Sequence, residues 1–201
     1  MSQPENLHPE NTDNIKSGRR KTDRPSTLVE NRTQAIPEVA DQTLPSGFLE
    51  GHKRLLFACS SGGHLSQLLQ LRPWWVHHER RWVTFDVPDA QSKLQGETLI
   101  PAFHPTTRNV LNMVRNGHLA QRVLRSWEPD VVISNGAGVA FPFFLAARAR
   151  GIPTVYLEVY DRIDSRTLTG RLCEPFTDRF LVQWPEQQAL YANSQLVGPL
   201  Y

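Results

Sequence analysis

With 201 residues and a formal net charge of +2, the chain is long enough for one sizeable core plus a tail, and too nearly neutral to support a general nucleic-acid role. Hydrophobic residues make up 39% and charged residues 21%, an ordinary soluble domain diluted by a polar segment. The two cysteines, Cys59 and Cys173, come with no CxxC and no His/Cys cluster, so neither a disulfide framework nor a metal site is implied and a reducing, cytoplasmic setting fits.

Residues 1–52 carry the dilution, with 6 Lys and Arg against 8 Asp and Glu, which leaves 16 against 12 for the remainder. This stretch is rich in Asn, Glu, Asp, Thr, Pro and Ser and has no sustained periodicity, so it is expected to be a disordered polar tail. It lacks the apolar core of a secretory signal, and its acids argue against a transit peptide. The basic cluster from Lys16 to Arg24 reads as part of a solvated tail, with contact to anionic lipid or a partner as the sharper alternative.

From residue 53 to 201 short apolar runs alternate with helical stretches, which predicts an α/β domain, a Rossmann-like doubly wound parallel sheet. Leu55 to Cys59 reads as a strand buried on both faces, Ser60-Ser-Gly-Gly63 as a tight loop, and Leu65, Leu68, Leu69 and Leu71 as the apolar side of a helix. Arg81 to Phe85 reads as a second strand, and Leu99-Ile100 with Ala102-Phe103 as a weaker third. A long helix is expected over Thr106 to Trp127, then a strand over Asp130 to Ser134, the loop Asn135-Gly-Ala-Gly138 and a helix to Arg150. Pro153 to Leu157, a stretch around Thr167 to Leu172, Arg179 to Val182, a short helix after Pro185 and Gln195 to Val197 complete six or seven strands.

Two loops carry chemistry. Ser60, Ser61, Gly62 and Gly63 stand between a buried strand and a helix N-terminus, where unpaired amides and the helix dipole favour anions. Glycine there permits positive φ and close approach of a phosphate or sugar, and His64 follows in the first turn. Ser134, Asn135, Gly136 and Gly138 repeat the device at a second strand end, and Glu158 lies just past a third. In doubly wound folds ligands bind at that edge, so these residues are expected to share one crevice. The plain alternative is a set of strand-to-helix turns in which Asn135 caps a helix and Glu158 sits on a surface turn. Ser60-Ser-Gly-Gly-His-Leu departs from the G-x-G-x-x-G dinucleotide fingerprint, although Asp86 stands at a plausible distance for the acidic partner. Neither a P-loop nor a G-x-S-x-G elbow occurs.

Two further features suit a membrane surface. Arg108, Arg115 and Arg122 recur every seven residues on the long helix, with Val110, Met113, Val114, Ala120, Val123 and Leu124 mostly opposite, and Phe141, Phe143 and Phe144 make the next helix start unusually aromatic. The plain alternative is a solvated basic face over a core-facing apolar one. The uncharged run from Val131 to Ala147 is cut by the glycine loop and Pro142 and is not read as a membrane span.

Ser-Ser-Gly-Gly-His-Leu-Ser-Gln-Leu at 60–68, Asp-Val-Val-Ile-Ser-Asn-Gly-Ala-Gly at 130–138 and Gly-Ile-Pro-Thr-Val-Tyr-Leu-Glu at 151–158 together resemble the Alg-fourteen family and its bacterial exopolysaccharide relatives. The resemblance covers residues 53–201. It implies the fold of the N-terminal half of a GT-B glycosyltransferase, in a subunit that binds a polyprenyl-pyrophosphate-linked saccharide. The UDP-sugar would be held mainly by an Alg-thirteen-like donor-binding partner, with no cofactor on this chain, and the location would be cytoplasmic and peripheral on the inner face of the membrane. By the same resemblance Ser60 to Gly63 would hold the pyrophosphate, and Asn135, Gly136 and Gly138 would line the cleft. His64 and Glu158 would be the catalytic or sugar-contacting groups. Two departures stand out: family members in eukaryotes begin with a membrane-spanning helix where this chain has a polar tail, and Leu157-Glu-Val-Tyr160 replaces the His-Glu-Gln-Asn of the single-chain relative. A non-catalytic membrane adaptor and a free-standing nucleotide-binding Rossmann enzyme are the competing readings.

Overall fold

The computed structural model describes residues 51–200. The expected tail, apart from Gly51 and His52, and the Lys16–Arg24 cluster lie outside the described residues.

Among the described residues seven parallel strands form one sheet in the order β3-β2-β1-β4-β5-β6-β7: β1 (Arg54–Ala58), β2 (Glu79–Thr84), β3 (Leu99–Pro101), β4 (Val131–Ser134), β5 (Thr154–Leu157), β6 (Arg179–Val182) and β7 (Ser194–Leu196). The first three strands step one way and the chain then returns to β4 beside β1, so the order reverses between β1 and β4. That reversal is the switch point of a doubly wound sheet, the place where loops from neighbouring strands part and leave a crevice. β2 starts two residues earlier than the sequence reading because Glu79 pairs with Arg54. β3 is short, and its Pro101 is tolerated because β3 is an edge strand.

Successive β1 side chains enter opposite layers, which is why an unbroken apolar run forms this strand. Leu56 and Ala58 pack with α4 (Val110–Trp127) and α5 (Ala140–Arg148). Leu55, Phe57 and Cys59 pack with α1 (Gly63–Gln70), α2 (Arg72–Trp75) and α3 (Pro88–Lys93). α6 (Leu168–Cys173) joins the first layer through Cys173, and α7 (Pro185–Leu190) leads to Tyr191 in the same layer.

α4 begins at Val110 rather than Thr106. The Asn109 side chain accepts the Asn112 N–H at 2.9 Å and caps the helix, and Arg108 has φ 52°, so both precede the first turn. The upper half of α4 turns two buried asparagines inward. Asn116 takes the N–H and the carbonyl of Phe103, both at 2.9 Å, and Asn112 donates to Pro105 O at 2.9 Å. One to three turns on, the same face is apolar, with Leu119, Ala120, Val123 and Trp127 buried. Because asparagines fill the inner face above, Val110, Leu111, Met113 and Val114 face solvent, Val110 at 69% exposure. The apolar side of this helix is therefore split between core and solvent, contrary to the single opposite face expected from the sequence.

Candidate functional site

Both glycine loops lie at the switch point, after the neighbouring strands β1 and β4. Gly62, with φ 75° and ψ −131°, turns the chain into α1 in a conformation that side-chain-bearing residues rarely adopt. The first-turn amides of Gly63, His64 and Leu65 have no preceding helical carbonyl to bond, and residues 60–64 are all at least partly open to solvent. The strand, glycine loop and helix start expected from the sequence are therefore present here.

His64 and Asn135, 71 residues apart, join the two loops. His64 Nδ1 lies 3.0 Å from the Asn135 carbonyl oxygen. A carbonyl only accepts, so Nδ1 carries the proton and the neutral ring keeps its lone pair on Nε2. Burial pushes the imidazole pKa below its ordinary 6.5; the Asn135 carbonyl and side chain and the charge of Asp161 oppose that shift. Asn135 is itself fully buried and donates from Nδ2 to His64 O at 2.7 Å and to Gln67 Oε1 at 3.2 Å. Its Oδ1 lies near the ring without a well-aligned bond and has no donor among the described residues.

The remaining predicted residues divide into lining and support. Ser134 is buried; its hydroxyl donates to Ala58 O and accepts the Gly136 N–H at 3.1 Å, so it ties β1 to the second loop and does not face a ligand. Gly136, at φ 111°, is backed by Tyr156, whose hydroxyl is 2.8 Å from where a Cβ would lie. A Cβ on Gly138 would lie 2.6 Å from the Thr106 Cβ, so the segment before α4 closes directly over this loop.

Glu158 corrects the sequence reading. It is fully buried, its Oε1 accepts from Val159 N at 3.0 Å and from Thr167 Oγ1 at 3.1 Å, and its Oε2 accepts from the Tyr191 hydroxyl. Burial raises its pKa above the ordinary 4.5, more than those bonds lower it. The carboxylate supports the loop after β5 and does not reach the crevice as a catalytic group. Thr167 also caps α6 by accepting the Gly170 N–H at 3.0 Å, and Gly170 has no room for a Cβ beside Glu158 and Tyr191. Local sequence gave no sign of this cluster, since Thr167 and Tyr191 are 9 and 33 residues away.

The surface residues are also corrected. Phe143 and Phe144 are fully buried in the layer between α5 and the sheet, and Phe141 is half-buried against Phe176 at 6.0 Å, so the aromatic start of α5 is core. Arg108 precedes α4, Arg115 lies over the Phe103 ring at 5.8 Å, and Arg122 lines a shallow hollow with Gln121, Arg125 and Ser126 on the lower half. Sequence reasoning missed Asp89 and Lys93. Asp89 reads only as a first-turn acid of a short helix, yet it accepts the Gly62 N–H at 3.0 Å.

A sequence model described as "Oligosaccharide biosynthesis protein Alg14 like" matches residues 96–200. The UDP-N-acetylglucosamine transferase subunit alg14 of Schizosaccharomyces pombe is 33% identical over 75 residues, 35% of this chain and 36% of that protein. The subunit of the same name from Yarrowia lipolytica is 31% identical over 185 residues, 77% of this chain and 86% of its own length. Among solved structures, MurG of Acinetobacter baumannii superposes with a TM-score of 0.56 at 18% identity, over 67% of this chain and 42% of MurG. That likeness bears on the fold: the sheet and its helices match a portion of a GT-B-type enzyme that is less than half of its chain.

Proposed function

Since the chain belongs to the Alg14-like family of oligosaccharide-biosynthesis proteins, we propose that it is the acceptor-side subunit of a two-component glycosyltransferase. Together with a donor-binding partner it moves a sugar, N-acetylglucosamine or another hexose or uronic acid, from a UDP-sugar to a polyprenyl-diphosphate-linked saccharide. The observation that carries this reading is the bond between His64 Nδ1 and Asn135 O, which holds the two glycine loops together at the switch point.

This reading gives each group a task. The first-turn amides of α1 receive the diphosphate at the positive end of the helix. His64 Nε2, unprotonated, takes the proton from the acceptor hydroxyl as that oxygen bonds to the anomeric carbon of the donor. The bond from that carbon to the diphosphate oxygen breaks, and UDP leaves with the electron pair. The donor rests mainly with the partner, a reading supported by the superposition of this fold on only 42% of the MurG chain.

No helix among the described residues is long and apolar enough to cross a membrane. The exposed Val110, Leu111, Met113 and Val114, with Phe103, Arg108 and Arg115 nearby, form an apolar patch with basic neighbours beside Thr106 and Gly138. That surface suits an anionic leaflet on the cytoplasmic side, where the lipid of the acceptor lies.

The test is sugar transfer from labelled UDP-N-acetylglucosamine by membranes containing this chain and its donor-binding partner. His64→Ala is expected to lower transfer by about a hundredfold or more with the complex intact. Full activity in that variant would instead assign the chain an adaptor role.

A further inference from the structure

Gly62 is gripped at both of its polar groups by a closed circuit of side chains. Its N–H donates to Asp89 Oδ2 at 3.0 Å, and Asp89 Oδ1 lies 2.7 Å from Lys93 Nζ. Lys93 Nζ donates to Ser66 Oγ at 2.9 Å, and Ser66 Oγ donates back to Gly62 O at 3.0 Å. One carboxylate thus occupies a backbone amide at the positive end of α1 and an ammonium group. Those are the two donors that a phosphoryl oxygen arriving at this turn would use. Asp89 is kept below the usual carboxylate range by Lys93 and, to a lesser degree, by the Gly62 amide. Its side chain is 46% exposed, so nothing in the core holds it there. On the other side of the same turn the fully buried Asn135 donates from Nδ2 to His64 O at 2.7 Å, so the second loop holds the first turn of α1 in place.

We propose that Asp89 is a displaceable internal anion of the glycine loop, holding Gly62 N–H and Lys93 until the diphosphate of the acceptor takes both. The inference rests on the reading that this loop receives a diphosphate. On binding, a phosphoryl oxygen accepts the Gly62 N–H, Lys93 pairs with the phosphate, and the Asp89 carboxylate turns out into solvent. Asp89 and Lys93, neighbours in one circuit, then act on binding with opposite sign. The carboxylate competes with the ligand and the ammonium attracts it.

The experiment is a titration of the nitrogen-15-labelled full chain with inorganic pyrophosphate, followed at the amides of Gly62 to Leu65, for wild type, Asp89→Asn and Lys93→Met. Asparagine keeps an acceptor for the Gly62 N–H, and thermal melts of both variants check the fold. The expected result is pyrophosphate binding about three- to tenfold tighter in Asp89→Asn and weaker by a similar factor in Lys93→Met. Weaker binding in both variants, or unchanged binding in Asp89→Asn, overturns the proposal and makes the circuit a clasp that only shapes the loop, with the diphosphate reading intact. Amides that move in none of the three proteins overturn the proposal and the diphosphate reading together, while the transfer assay on His64→Ala reports separately on the transferase role.

Discussion

His64 and Asn135 hold each other in both directions: the histidine Nδ1 donates to the asparagine carbonyl at 3.0 Å, and Asn135 Nδ2 donates to the histidine carbonyl at 2.7 Å. The reciprocal pair fixes the register of two loops that no other direct hydrogen bond among the described residues joins. Asn135→Ala removes two donated bonds and leaves Gln67 Oε1 without its partner in a buried setting. A loss of about 2–3 kcal/mol in unfolding free energy is expected by urea denaturation, together with loss of transfer activity.

The same pair sets a pH dependence. The folded-state pKa of His64 is depressed chiefly by burial, so as pH falls the unfolded chain takes up a proton at 6.5 before the native ring does. The stabilising contribution is therefore complete above pH 6.5 and is lost as pH falls through the lowered native value. His64→Gln is expected to flatten this part of the stability curve. In wild type the acid limb of kcat/KM is expected below pH 6.5, since Nε2 must be unprotonated to act as the base.

How far the sequence could be read depends on how local each cause is. The sheet was legible because 55–59, 131–134 and 154–157 are short apolar runs that enter two core layers at once, each followed by a polar or glycine break. The meeting of the two loops was legible because each is a glycine break after a buried strand, and β1 and β4 are neighbours in the sheet. The inward face of upper α4 was not, because Asn112 and Asn116 are buried there by bonds to a loop, and an apolar-periodicity argument assigns the core to Val110 and Val114 instead. The burial of Glu158 and the engagement of Gly62 by Asp89 depend on partners 9 to 33 residues away, with no local pattern to reveal them.

Glu158 offers a test of support against catalysis. Its native pKa is raised by burial, so the unfolded chain loses this proton near 4.5 while the native chain still holds it. The contribution to stability is complete below pH 4.5 and is lost as pH rises through the raised native value. Glu158→Gln keeps the shape and most of the bonds and is expected to gain stability over wild type progressively above pH 4.5, with transfer activity within about threefold of wild type. Glu158→Ala, which strands Val159 N, Thr167 and Tyr191, is expected to lose about 2–4 kcal/mol in the same denaturation series.

Gly138 tests the closure of Thr106 over the second loop. A Cβ at 138 would lie 2.6 Å from the Thr106 Cβ and 3.1 Å from its carbonyl oxygen, and neither atom is the end of a flexible side chain. Gly138→Ala is expected to cost about 1–3 kcal/mol by displacing the segment before α4. Adding Thr106→Gly removes the nearer atom, so the double variant should lose less than the sum of the two single changes. Strict additivity in that cycle would mean the two positions do not touch.

Exposed and buried apolar residues lie on two adjacent helices, and substitution separates a role in membrane contact from a role in the core. Val110, Leu111 and Val114 are 69%, 60% and 50% exposed, whereas Phe143 is fully buried in the layer against α4. Replacing the three exposed residues with serine removes apolar area only from the surface, so the melting temperature should stay within a few degrees of wild type. Co-flotation with vesicles containing anionic lipid should fall severalfold, and further with rising salt as Arg108 and Arg115 are screened. Phe143→Ala should behave in reverse, losing about 3–5 kcal/mol of stability while any folded fraction floats as wild type does. Flotation that survives the serine changes but is lost with Phe143 would return the contact surface to the start of α5, against the burial found there.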